Sequence, residues 1–453
     1  MALVEARMPA VPSLPLGPVQ YDKQFIDQFA NVLRLYFNQL NNVMGQLVAN
    51  QGPYEVGFYG MAVDAFGRAR VSTPFSLFDS QSRYASDNQF DTSTATGGTT
   101  TYQANESTVD LGVTTSSGSE VVRQTFRNFP YQPGKSLLIL ATFVMNAAKT
   151  NLRQRVGYFS TQNGIFLQQD DSTVSFIIRT YTSGAVDDTR AVTQANWNGD
   201  KLDGTGASGI TLDLTKAQIL FTDIEWLGVG SVRCGFIIDG QYIVAHTFNN
   251  ANQNAKVYMT TAILPVRYEI TNKAATASAS TMKQVCSSVI SEGGYEATSV
   301  DHVARRTTAL ATIGTTFLPL VSIRLASTAL GAVVLPNKVQ VLPTTSQNYE
   351  VALFKNPTLT GASWAAVSTN TNVQFDVAST AMTGGSIVQT DYVTTSGSGG
   401  AGTLVAPTGY NFDLQLGVSL AGVSDIYTVG IRTVSGATTG DAVGSLSFYD
   451  LTQ

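Results

Sequence analysis

From Val232 to Ile238 the apolar residues Val232, Cys234, Phe236 and Ile238 occupy alternate positions, Asp239-Gly240 follows, and the run QYIVAHTF begins at once. A β-strand sends successive side chains to opposite faces, so this alternation predicts a strand with one buried face. An Asp-Gly between two such runs predicts a tight hairpin, because both turn residues must take positive φ. The same period recurs at 136–145, 172–181, 217–229, 257–264 and 282–291. Beyond 297 it returns at 315–325, 332–343, 349–357, 386–395 and 425–434. Phe412, Leu414, Leu416, Val418 and Leu420 alternate without a fault, which predicts a further strand. Loops of Gly, Ser, Thr and Asn separate these runs, with no alternating helices to support a parallel sheet. The expected fold is mainly β: a jelly-roll or concanavalin-like sandwich over 54–296 and a smaller sandwich over 297–453. EGGYEATSVDHVARR reads as the joint between them.

One segment breaks the pattern. In YDKQFIDQFANVLRLYFNQLNNVMGQL, from Tyr21, the residues Ile26, Phe29, Leu33, Tyr36, Leu40, Val43 and Leu47 recur at alternating spacings of three and four. That is a heptad seam on a helix. Asp22 fits the N-cap, Tyr21 can staple onto Ile26, and Gly52-Pro53 ends the helix. Phe25, Val32 and Phe37 widen the stripe, while Asn41, Asn42 and Gly45 weaken its far end. Residues 1–20 hold enough proline to read as an extended arm. Residues 1–53 are therefore expected to form an arm and an oligomerisation or attachment helix. An isolated helix of this length is marginal in water, so its apolar face requires a partner. Three copies in a trimer, a groove on another protein, or the chain's own β-domain could supply it.

Composition removes several classes of function. The 453 residues carry a net charge of −5, and only 13% are charged, about half the usual share. No Lys/Arg block exceeds the pair Arg305-Arg306, so no basic field for nucleic acid is expected. No run approaches the ~20 apolar residues that cross a bilayer, and the prolines of the first 20 residues interrupt any signal-peptide core. Cys234 and Cys286 have no metal-ligand spacing around them; they are expected as buried thiols, with a disulfide left open.

Chemistry-bearing motifs are sparse. His246 and His302 are the only histidines, and each is expected in an ordinary hydrogen-bonded role. Gly397 to Gly402 spells GxGxxG but precedes a β and turn sequence, not a helix N-terminus. Gly134-Lys135-Ser136 resembles the end of a phosphate loop, but Phe129 stands where that loop needs glycine. The loop Asn198 to Gly204 carries Asp200 and Asp203 without the ligand pattern of a dedicated calcium loop, so no metal or other cofactor is expected.

Asp223-Ile224-Glu225-Trp226 would put two carboxylates on one face of a strand. It resembles the active-site strand of concanavalin-like β-glucanases, whose three alternate acidic positions fall here on Phe221, Asp223 and Glu225. A retaining glycosidase needs both a nucleophile and an acid/base. Phe221 cannot attack, so the resemblance implies the fold without the activity, and the chain is read as no enzyme. Trp197, Trp226 and Trp364 are candidate stacking platforms for sugar rings, with Asp223 and Glu225 as possible glycan contacts.

Three strings carry a second resemblance: PSLPLGPVQYDKQFIDQFANVLRLYFNQLNN, AVDAFGRARVSTPFSLFDSQSRY at 62–84, and YEITNKAATASASTMKQVCSSVISEGGYE. They resemble virion-associated structural proteins of marine tailed phages. The resemblance implies a non-enzymatic virion component assembled in the host cytoplasm, a tail fibre or collar-associated protein, attached through residues 1–50 and self-associating as a homotrimer. The alternatives are a capsid decoration protein, a host-glycan-binding module, or a degenerate glycan depolymerase.

Overall fold

The computed structural model describes residues 23–49, 73–296, 298–394, 402–404, 412–435 and 439–452. Contacts divide the chain into two units, Met1–Ala62 and Val63–Gln453. The first holds the helix and the second holds both sandwiches.

Helix α1 runs over Lys23–Ala49. At 1.5 Å per residue it is about 40 Å long. The proposed cap Asp22 and stop Gly52-Pro53 lie outside the described residues, as do the side chains of Val43 and Leu47. Phe25 and Phe29, one turn apart, stack at 6.2 Å. Phe29, Leu33, Tyr36 and Leu40 are half-buried, and none of the described side chains of the helix is fully buried. Ile26 is 45% exposed, Leu35 55% and Phe37 62%.

The first sandwich is built from β1 Phe75–Gln81, β2 Phe90–Ala95, β3 Thr99–Gln103, β4 Thr108–Val113, β5 Glu120–Thr125, β6 Ser136–Val144, β7 Leu152–Phe159 and β8 Gly164–Asp170. It continues with β9 Thr173–Thr180, β10 Asp187–Thr193, β11 Gln218–Ile224, β12 Val232–Ile238, β13 Gln241–Phe248, β14 Val266–Asn272 and β15 Ser280–Glu292. One antiparallel sheet has the order β13-β12-β11-β6-β15-β4-β3, with β1 also on β15; the facing sheet has the order β10-β9-β8-β7-β14-β5-β2. Alternation decides what lies between them. Leu137, Ile139, Ala141 and Phe143 of β6 meet Val156 and Tyr158 of β7, Ile165 and Leu167 of β8, and Tyr268 and Ile270 of β14 in one core. Each fully buried side chain of this kind stabilises the fold by about 1.5–3 kcal/mol. The expected hairpin is present: β12 pairs with β13 through Ile238 and Gln241, and Asp239 and Gly240 take φ of 51° and 74°.

The second sandwich comprises β16 Asp301–Ile313, β17 Leu318–Leu325, β18 Val334–Pro343, β19 Asn348–Lys355, β20 Thr358–Thr360, β21 Ala365–Ala366, β22 Val373–Asp376, β23 Ala381–Thr383, β24 Ser386–Thr394, β25 Gly402–Leu404, β26 Ile426–Thr433 and β27 Gly440–Asp450. A four-stranded sheet, β16-β27-β18-β25, faces a six-stranded one, β21-β22-β17-β26-β19-β24. Val321, Ile323, Leu325, Tyr427, Val429 and Ile431 pack against Val339, Val341, Leu446 and Phe448. The β20-β23 pair belongs to a flap beside a small outer cluster of Ala352, Phe354 and Met382, against which Leu359 of β20 packs.

Three expectations about elements are corrected. Residues 257–264 form no strand: Tyr258, Met259, Ala262 and Leu264 are buried, but side chains satisfy the backbone in place of a ladder. The Tyr158 hydroxyl lies 2.6 Å from Phe129 O and 2.7 Å from Ala262 O and accepts the Leu264 N–H at 3.1 Å. Asn163 Oδ1 accepts the Thr260 N–H at 3.0 Å. The proposed joint is shorter than EGGYEATSVDHVARR, because Asp301 to Arg306 already belong to β16. Finally, Phe412–Leu414 is a 3-10 turn, and the residues after it form a strap between the sandwiches rather than a strand. Phe412 enters the first core, edge-on to Tyr295 at 5.0 Å, whereas Leu416 enters the second. Backbone bonds tie the strap to both sides, from Val418 N to Phe126 O at 2.8 Å and from Leu416 N to Val334 O at 3.0 Å.

Candidate functional site

The expected carboxylate pair does not form on a strand. β11 stops at Ile224, so Asp223 lies on it and Glu225 does not. Asp223 is buried and ion-paired with Arg233 on β12. Glu225 opens a tight turn in which Gly230 N bonds to Trp226 O at 2.7 Å and Glu225 N to Ser231 O at 3.0 Å. Leu227 and Gly228 take positive φ there, which no continuing strand allows. Phe221 is buried on the outer side of the sheet, edge-on to Tyr242 at 5.2 Å.

The tryptophans part company. Contrary to expectation, Trp197 is 2% exposed and packs at a tilt against Phe176 at 4.8 Å, with its indole N–H donating to Val192 O at 3.1 Å. It is a core residue and offers no face to a sugar. Trp226 is half-buried and edge-on to Tyr131 at 6.1 Å. Trp364 is half-buried at the margin of the six-stranded sheet, just before edge strand β21.

Both histidines have structural partners. His246 is buried, accepts the Asn198 N–H at Nδ1 (3.3 Å), and meets Phe248 edge-on at 4.4 Å; burial lowers its pKa. His302 stacks on Phe448 at 5.7 Å and borders a recess of about 460 Å³ with Ser299, Asn370 and Asp450. In the acidic loop, Asp200 accepts the Leu202 N–H at 2.9 Å and the Ser208 N–H at 2.7 Å. Asp203 accepts from the Thr205 hydroxyl at 2.6 Å and its N–H at 2.9 Å. These carboxylates cap their own turns. Both cysteines are free; Cys234 is buried as expected, but Cys286 is exposed beside a register shift in β15 between Gln284 and Ser287. Of the GxGxxG string, Gly397 to Ala401 lie outside the described residues.

A cluster absent from the sequence reading occupies the face of the seven-stranded sheet turned away from the core. Glu269 is buried among three guanidiniums, with Arg153 at 3.1 Å, Arg155 at 3.3 Å and Arg267 at 3.1 Å. Burial alone would raise its carboxyl pKa; Arg267, Arg155 and Arg153 outweigh that and hold it below the usual range. Arg155 is pushed down to about 10 by burial, against the attraction of Glu269. Arg155 and Arg179 lie over the Phe166 ring at 5.2 and 5.1 Å, and Arg267 over Phe159 at 5.5 Å. Gly157 makes room for Phe166, since a Cβ there would stand 2.8 Å from the Phe166 Cβ. The sequence signal is the alternation Arg153/Arg155 and Arg267/Glu269, which puts each pair on one strand face.

The second sandwich holds a more open arrangement. Arg324 of β17 lies over the Trp364 ring at 4.3 Å, and its Nε donates to Gln374 Oε1 on β22 at 3.0 Å. The loop carrying Trp364 is fixed from below: buried Asp376 accepts the Ser363 N–H at 2.8 Å, the Ala378 N–H at 3.1 Å and the Ser379 hydroxyl at 2.5 Å. Among the described residues no carboxylate forms an ion pair with Arg324. Burial lowers its pKa with no opposing negative charge. The arrangement is an aromatic ring backed by a braced, half-buried cation.

No protein-family model matches the sequence. No curated protein matches it either. Solved structures similar to part of the chain include the Emp47p carbohydrate recognition domain, with TM-score 0.30, 10% identity, and coverage of 48% of this chain and 96% of that one. A lectin from Bauhinia forficata in complex with GalNAc aligns at TM-score 0.29 and 9% identity over 49% and 99%. Peanut lectin with a nine-residue peptide aligns at 0.27 and 13% over 49% and 98%. The β-sandwich assignment stands on the sheet order and registers described above.

Proposed function

We propose that this chain is a non-enzymatic carbohydrate-binding protein that presents paired β-sandwiches and is held in a larger assembly by its leading helix. The observation that supports binding is Trp364: half-buried at a sheet margin, as Trp226 is at its turn, it is the candidate platform that is also braced by Arg324 and the Asp376-capped loop. Preorganised aromatic faces suit the apolar faces of sugar rings at small entropic cost. Binding of the full chain to a glycan array, compared with Trp364→Ala, tests the reading; an array on which neither protein binds would overturn it.

A second reading concerns where the protein works. The heptad face of α1, with Ile26 exposed and Phe29, Leu33, Tyr36 and Leu40 half-buried, supports attachment or self-association, and a homotrimer satisfies the seam. With the phage-like strings at 12–42, 62–84 and 268–296, this favours a virion component of the tail-fibre or collar kind. Light scattering on the full chain and on a chain starting at Tyr54 should give an oligomer and a smaller species. A monomer in both cases would sink it.

A further inference from the structure

We propose that Arg324, Trp364 and Gln374 form a subsite for a sugar bearing a carboxylate, as in a uronic acid unit; the assignment rests on the carbohydrate-binding reading above.

Arg324 pairs with Gln374 across β17 and β22, and Gln374 in turn pairs with Ala366 of β21, so the three strands bring Arg324 and Gln374 side by side next to the residue row that Trp364 begins. Gln374 takes the Nε proton, which fixes the guanidinium plane and leaves its terminal Nη pair as the recognition edge. No described residue hydrogen-bonds or ion-pairs with those two nitrogens. A planar fork of two N–H donors matches a carboxylate in bidentate fashion better than it matches a hydroxyl.

Charge points the same way. Several half-buried or buried arginines of the chain are answered by carboxylates, as Glu269 answers Arg153, Arg155 and Arg267, and Glu350 answers Arg432 at 2.6 Å; Arg123 is answered instead by neutral groups that occupy Nε and both terminal nitrogens. Arg324 is answered by an aromatic ring and a neutral amide. Nearby Asp376 does not serve, because its oxygens are taken by Ser363, Ala378 and Ser379. A cation partly withdrawn from water and lacking a counter-ion favours an anionic partner. An anionic sugar seated against the indole supplies the missing charge, while Trp364 receives the sugar's C–H groups.

The test is calorimetric titration of the full chain with an oligogalacturonate, a neutral β-glucan oligosaccharide and a sulfated galactan. The oligogalacturonate should bind, more weakly as salt rises. Arg324→Gln and Trp364→Ala should each weaken it about tenfold or more, with Arg324→Lys in between because it keeps charge without the fork. Circular dichroism and the thermal midpoint serve as folding controls, with Trp364→Phe as the milder variant. Neutral oligosaccharide binding that depends on Trp364 but not on Arg324 would overturn this inference and leave the carbohydrate-binding reading intact. Preference for the sulfated galactan would overturn the carboxylate assignment. Silence toward all three would overturn both.

Discussion

The Arg127 guanidinium, at the end of the first sandwich, donates to the Phe412 carbonyl at 2.5 Å, 285 positions further along the chain. Its other Nη donates to Gln89 Oε1 at 2.5 Å, and the charge lies over the rings of Phe78 and Phe129. Arg127 is thus a rivet between the strap and the first core.

Replacing Arg127 by Ala removes two hydrogen bonds and the 3.5 Å ion pair with Asp413, and leaves the Phe412 carbonyl only the Gln415 N–H at 3.1 Å. A loss of about 2–4 kcal/mol is expected. Urea unfolding followed by tryptophan fluorescence reads it, and a midpoint equal to wild type would show that the strap is held elsewhere.

Glu269 predicts an acid limb to stability. Its folded pKa lies below the ordinary value of 4.5, so the native state holds fewer protons on this group than the unfolded chain. The contribution is complete above that ordinary value and is lost as pH falls through the folded one. Glu269→Gln should flatten this limb and cost about 3 kcal/mol at neutral pH by stranding three guanidiniums. Thermal midpoints measured from pH 7 down to pH 3 check both statements.

Tyr158→Phe keeps the ring and deletes the hydroxyl that organises residues 257–264. The Leu264 N–H loses its acceptor in a buried site, at a cost of about 1–3 kcal/mol. Hydrogen exchange at Leu264 should quicken relative to the ladder amides of β7. Equal protection in the two proteins would mean that the irregular segment is held without Tyr158.

The two thiols should react on different schedules. Cys286 is exposed and open to a thiol reagent in the native state, while Cys234 is buried and its pKa is raised by that burial. Mass spectrometry after brief labelling should show one adduct, on Cys286, with Cys234 labelled only in denaturant.

The parts of this fold that could be read from the sequence are those whose causes are local. Asp239-Gly240 fixes its own turn, and β12 and β15 alternate because each turns one face to the core. Residues 257–264 and 412–420 alternate equally well, yet neither is a strand. Their backbone groups are met by Tyr158, Asn163 and the neighbouring sandwich, partners that no window of sequence contains. The same limit governs the tryptophans: Trp197 and Trp364 carry identical side chains, and the packing of Phe176 against one and Arg324 against the other accompanies a buried ring in the first case and a half-buried one in the second. Arg324 lies 40 positions before Trp364 in the sequence, so strand register alone brings the pair together.

The strap has a bearing on how the polypeptide is born. Phe412 completes the packing around Phe75 and Tyr295, so a ribosome that has just finished β15 has not yet supplied the plug for the module it has made. Over a hundred more residues must emerge, about 10 s of synthesis, before that gap is filled. During that interval the exposed aromatic socket needs shelter, and a truncation between Asp301 and Asn411 would leave it permanently open to aggregation.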